Sequence, residues 1–177
     1  FVQIFNWMQM LFNMKRQVFF SFHYNRDAWR ASQIRNMGKV DGLSTFCDND
    51  WEEVRYKSDT KIREWIDKQL SMRSCLVVLV GYETSERKWV KYEIEKAMEL
   101  HKGIVGIRID RLKNSQGNQD NEGCNPFFNV ITPSGHRLSN YVTLFKSIYS
   151  SSEYVYNDIK DHIEDLIEDA IDNRWNY

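Results

Sequence analysis

At 177 residues the chain has room for one domain and an appendage, but not for two independent cores. A composition of 42% hydrophobic and 28% charged residues belongs to a soluble globular protein, and a net charge of −1 lacks the basic footprint of wholesale nucleic-acid binding. Cys47, Cys75 and Cys124 lie far apart, with no CxxC and no histidine at ligand spacing. That pattern fits reduced thiols in a cytoplasmic protein and no metal site.

Phe1 to Phe12 is apolar but too short to span a bilayer, which takes about 20 residues. It also lacks the charged lead-in of a signal peptide. Residues 1–14 read as an N-terminal extension or packing helix, with a membrane-facing or self-association segment as the alternative, and residues 15–177 as one domain. Gln17 to Phe22 is a short apolar, β-branched and aromatic run, hence a buried strand. Asn25-Arg26-Asp27 offers cap chemistry for a helix from Ala28 to Met37 that ends at Gly38. Leu43 to Cys47 is a second strand, followed by an acidic loop from Asp48 to Glu53. Ser58 or Asp59 caps the next helix, whose Ile62, Trp65, Ile66 and Leu70 share a face.

Cys75 to Val80 is the strongest strand, and its unbroken apolar run suits burial on both sides in a parallel sheet. A helix from Lys88 to His101 and a strand from Gly103 to Ile109 follow. Between Arg111 and Asn140 the composition turns to Asn, Gly, Gln and Asp, as expected of a functional or mobile surface insertion. Tyr141 to Phe145 is a candidate fifth strand. Tyr156 to Arg174 is an amphipathic terminal helix whose acidic side is a solvated face or a docking surface for a basic partner.

Alternating strands and helices give an α/β fold with right-handed crossovers and a mainly parallel sheet of about five strands. Ligands of such sheets bind beyond the carboxyl ends of the strands, which nominates the loops Ser21–Arg26, Asp48–Glu53 and Gly81–Trp89. Those loops carry no phosphate-cradling Ser/Thr/Gly turn, no GxGxxG and no paired receiver-type aspartates. No P-loop, GxSxG or HExxH occurs elsewhere. Glu93 remains. On a helix from Lys88 it stands one turn after Trp89, beside a stripe of Val90, Ile94, Ala97, Met98 and His101 that docks on the sheet. A carboxylate beside an indole suits a ribosylated aromatic base: the ring stacks, and the carboxylate takes a ribose hydroxyl and faces a developing oxocarbenium ion. The same WxxxE spacing also describes a half-buried tryptophan beside a solvated glutamate. His23 and the basic residues Arg87, Lys88 and Lys91 are further candidates for phosphate or ribose contacts; His101, His136 and His162 read as structural or solvated.

Gln17-Val18-Phe19-Phe20-Ser21-Phe22-His23-Tyr24, the run Gly81 to Ile94, the Gly103 to Ile107 strand and Asn125-Pro126-Phe127 together resemble the TIR-like family of bacterial Thoeris anti-phage systems over residues 15–128. The resemblance implies a flavodoxin-like, three-layer TIR fold and cleavage of the nicotinamide–ribose bond of NAD. NAD is then a substrate and no cofactor is needed. The product is a cyclic or modified ADP-ribose signal that activates an effector protein after a phage-derived trigger. Glu93 takes the family's catalytic position and Trp89 that of its stacking ring, with Phe22 as a second wall. Ser21, Phe22 and His23 line the same cleft, and Asp48 and Trp51 fall in the BB loop, which closes over substrate or meets a neighbouring subunit. TIR enzymes complete their sites by side-by-side self-assembly, so a lone chain is expected to be nearly inactive. Beyond Phe128 the family pattern ends, so the resemblance implies neither the partner-sensing surface nor the identity of the product. The alternatives are a non-catalytic TIR-like adaptor acting through protein contacts and a small-molecule-binding or nucleoside-processing α/β protein.

Overall fold

The computed structural model of the chain describes residues 16–40 and 56–177. Among them, strands β1 (Val18–Ser21), β2 (Cys75–Val80), β3 (Gly103–Arg108) and β4 (Leu144–Phe145) form a four-stranded sheet in that spatial order. Every pairing is parallel, with Val18 opposite Cys75, Cys75 opposite Gly103, and Gly106 opposite Leu144. The helices are α1 (Tyr24–Arg35), α2 (Asp59–Ser71), α3 (Lys88–Glu99) and α4 (Ser152–Asp172). The expected strand Leu43 to Cys47 lies outside the described residues.

The pleat sorts the core into two halves. Val18, Phe20, Val77, Leu79, Val105 and Ile107 point toward α1 and α4, which contribute Ala31, Ile34, Val155, Ile159, Ile163 and Ile167. Phe19, Leu76, Val78, Val80 and Ile104 point toward α2 and α3, which contribute Ile62, Ile66, Leu70, Val90, Ile94 and Ala97. All six residues of β2 are buried because both faces are covered, as its unbroken apolar run requires. The result is the three-layer, flavodoxin-like arrangement expected of a TIR fold.

Several boundaries move. Helix α1 starts at Tyr24 with His23 as its N-cap, so Asn25, Arg26 and Asp27 lie inside the helix rather than capping it. Asp27 is drawn inward by Arg30, three residues on, and the pair shares the buried face with Ala31 and Ile34. Helix α3 stops at Glu99, which leaves His101 exposed at φ +49° in the turn and outside the docking stripe. Strand β4 keeps only two of the five residues expected of it, and α4 begins at Ser152 rather than Tyr156.

The insertion from 111 to 140 is tied to the domain at several points, between exposed turns at 115–117 and 133–137. Phe127, Val130 and Leu138 complete the core beside α3. A Cβ on Gly106 would stand 2.7 Å from both the Phe127 ring and the Leu144 side chain, so this glycine of β3 makes the space that the phenylalanine of Asn125-Pro126-Phe127 fills. The earlier part of the insertion returns across the carboxyl edge of the sheet. There Arg30 donates to the carbonyls of Leu112 (2.8 Å) and Asn118 (3.2 Å), and Arg108 donates to that of Gly123 (2.8 Å).

Candidate active site

Ser21 ends β1 on the α3 side of the sheet, level with Val78, while β2 runs on to Val80. The chain then turns through Gly81 and Tyr82. The buried hydroxyl of Thr84 accepts the Gly81 N–H at 2.9 Å and fixes that turn. Gly81 can carry no side chain, since a Cβ there would lie 2.2 Å from Asp27 Oδ2. A Cβ on Gly123 would likewise stand 2.2 Å from the Gly81 carbonyl, so the insertion lies directly against this turn.

Helix α3 begins seven residues after Gly81 and lays its buried stripe, Val90, Glu93, Ile94 and Ala97, on the sheet. Glu93 therefore belongs to the core-facing side and is only 3% exposed, which rules out the solvated-glutamate reading of WxxxE. Its single described hydrogen-bond partner is the Ser21 hydroxyl, which donates to Glu93 Oε2. Burial is the larger influence and pushes the carboxyl up to about 8, while the Ser21 bond pulls it the other way. No ion pair to Glu93 occurs among the described residues. A carboxyl in this setting changes charge close to neutral pH rather than in the ordinary carboxylate range.

The other residues nominated from sequence fall around it unevenly. Trp89 stands one helical turn earlier, half-buried, edge-on to Tyr92 at 6.1 Å and with the Lys88 ammonium 4.6 Å from its ring centroid. Phe22 is on the opposite side of β1, packed with the α1/α4 half of the core and stacked on Tyr24 at 6.3 Å. Trp89 packs with the other half, so the two rings are on different faces of the sheet. His23 continues the line of Ser21. Its Nδ1 is buried without a hydrogen-bond partner, and burial together with Arg87 holds the imidazole below its ordinary value. Asp48 and Trp51 lie outside the described residues. Lys88 pairs with Asp59, and Lys91 with Glu95 at 3.7 Å, so of the three basic candidates only Arg87 faces the loop between β2 and α3.

Two parts of this edge escaped the sequence reading. Asp27 and Arg30 form a fully buried ion pair at 2.8 Å, although their i,i+3 spacing with Ala31 and Ile34 on one apolar face was a usable signal. Arg26, Glu83 and Asp120 form a second network across three segments, Arg26 pairing bidentately with Asp120 at 2.7 and 3.0 Å. Contacts separated by 94 residues leave no periodic trace in the sequence.

A TIR-type sheet with a buried glutamate in α3 defines the class. Residues 19–114 match the family model described as Thoeris protein ThsB, TIR-like domain. The chain belongs to this family. It is also 36% identical over 119 residues to a Bacillus cereus (strain MSX-D12) protein named "Putative cyclic ADP-D-ribose synthase ThsB1". That similarity covers 64% of this chain and 62% of the relative, so it spans less than two thirds of the relative's length. No helix among the described residues is long and apolar enough to cross a membrane.

Proposed function

We propose that this protein is an NAD-cleaving TIR enzyme of anti-phage defence, with Glu93 as the catalytic carboxylate. The observation that carries the reading is a buried carboxyl group with one hydroxyl partner and no described cation, at the carboxyl edge of a parallel sheet. In NAD the nicotinamide ring is already cationic. Its arrival beside Glu93 favours the ionised carboxylate, offsetting part of the desolvation that keeps the empty site protonated. As the glycosidic bond breaks, the electron pair leaves with nicotinamide, which becomes neutral, and positive charge moves to the ribosyl carbon. A fixed carboxylate in a site of low dielectric stabilises that charge more than it does the ground state. Attack by water then gives ADP-ribose and a proton. Attack by a nucleophile of the same ADP-ribosyl unit closes a ring, the outcome named for the Bacillus cereus relative.

The half-buried Trp89 ring, one turn before Glu93, is the candidate surface for the leaving nicotinamide. The reading further includes self-assembly through TIR–TIR contacts, a phage-derived trigger, and an effector protein coupled through the nucleotide product in the cytoplasm. A non-catalytic adaptor has no use for an unpaired buried carboxylate, which costs stability wherever it ionises. The test is chromatography of NAD incubated with assembled protein, with and without phage lysate. Wild type should release nicotinamide, and Glu93→Gln should lose at least ~100-fold in rate with its fold retained. Equal nicotinamide release by the two proteins would end the assignment.

A further inference from the structure

Glu83 sits where three positively polarised groups converge. Its Oε1 accepts a hydrogen bond from Arg26 Nη1 at 3.1 Å, and its Oε2 stands 3.6 Å from both Arg87 Nη2 and His23 Nδ1. The last two distances exceed a hydrogen bond. One carboxylate does not bring all three nitrogens to hydrogen-bond distance, and His23 Nδ1 is left buried with no partner. Arg87 donates through Nε to the Glu83 backbone carbonyl at 3.4 Å, but its Nη2 reaches the carboxylates of Glu83 and Glu86 only at 3.6 and 3.7 Å. His23 is the N-cap of the twelve-residue helix α1, yet its side chain makes no cap bond, so the positive end of that helix faces the same space. The cluster lies between the ends of β1 and β2, two residues beyond the Ser21 that holds Glu93.

We infer that Glu83 is a built-in stand-in for the diphosphate group of the substrate. A diphosphate diester carries a charge on each phosphorus and spare oxygens on both, enough to bond Arg87, Arg26 and His23 together at full hydrogen-bond distance. On binding it displaces Glu83, which is about one-third exposed and free to swing into water. Arg26 remains aimed by its bidentate pairing with Asp120, so the site is held open by the insertion rather than assembled by the ligand. Until displaced, Glu83 quenches the charge of the arginines and keeps stray anions out. The identity of the diphosphate as part of a dinucleotide rests on the function proposed above; the stand-in role does not.

Titration calorimetry of the full chain with inorganic diphosphate tests the inference without any NAD chemistry. Glu83→Gln should bind diphosphate ~3–10-fold more tightly than wild type, because a competing charge has gone, and Arg87→Gln should bind it more weakly by a similar factor. Glu83→Asp, whose charge is drawn back by one methylene, should fall between wild type and Glu83→Gln. In an Arg87→Gln background the gain from Glu83→Gln should shrink, since the two act through one contact. Unchanged or weaker binding by Glu83→Gln, or the same gain in both backgrounds, would overturn the stand-in role. If this series behaves as expected while wild type leaves NAD intact, the anion site stands and the NAD reading falls. If NAD is cleaved through Glu93 but the series fails, only the stand-in is lost.

Discussion

Glu93 and Asp27 are both carboxylates on core-facing helix positions at the same edge of the sheet, and both are almost completely buried. Burial drives both pKa values upward. They differ in company. Asp27 has the Arg30 guanidinium at 2.8 Å, and Arg30 in turn holds two carbonyls of the insertion. Glu93 has one serine hydroxyl. The lesson is that burial alone does not mark a reactive group: a buried acid with a fixed cation is a fastener, and one without is poised to change its charge.

Breaking the fastener should have the largest effect. Arg30→Ala leaves Asp27 buried without a counter-charge and leaves the carbonyls of Leu112 and Asn118 unmet, at a cost of ~3–5 kcal/mol in denaturant unfolding. A loss below about 1 kcal/mol would mean that Asp27 is not an ion-pairing group.

Removing the poised charge should act in the opposite direction. Below about pH 4.5 the Glu93 carboxyl is protonated in both folded and unfolded chains. Between that point and about 8 the unfolded chain gives up a proton that the folded one keeps, so rising pH costs stability until the folded group ionises as well. Glu93→Gln removes this penalty. It should stabilise the protein by ~2–4 kcal/mol at pH 8 and by little at pH 4, as read from unfolding midpoints across that range. A variant less stable than wild type at pH 8 would show that Glu93 is structural after all.

The smallest effect sharpens the contrast. Ser21→Ala removes the bond that draws the Glu93 carboxyl downward, so its titration should move further toward alkaline pH. The stability loss should be only ~1 kcal/mol. A carboxyl chemical-shift titration of the variant that coincides with wild type would place Ser21 outside the site.

Sequence pattern carried the central strand and the terminal helix, because the apolar run Cys75 to Val80 and the four-residue spacing of Ile159, Ile163 and Ile167 announce burial wherever they occur. It also placed Glu93 on a helix at the correct edge. It could not tell a solvated from a buried glutamate, since that depends on β1 delivering Ser21 from 72 residues away. The insertion looked like surface because its polar residues dominate. Its few apolar anchors, Phe127, Val130 and Leu138, follow no helical or strand period. Asp27 passed for a cap residue because it stands near the helix start, where position rather than partner suggests a role.

The most direct test of the central claim is kcat/KM for nicotinamide release from NAD by assembled wild-type protein between pH 5 and 9. For a free enzyme whose Glu93 must ionise, kcat/KM should rise with pH through a midpoint near 8 and bend toward a plateau only above it, with the midpoint displaced upward in Ser21→Ala. A profile that is flat across this range, or that shows no displacement in Ser21→Ala, would contradict the assignment of Glu93 as the poised carboxylate.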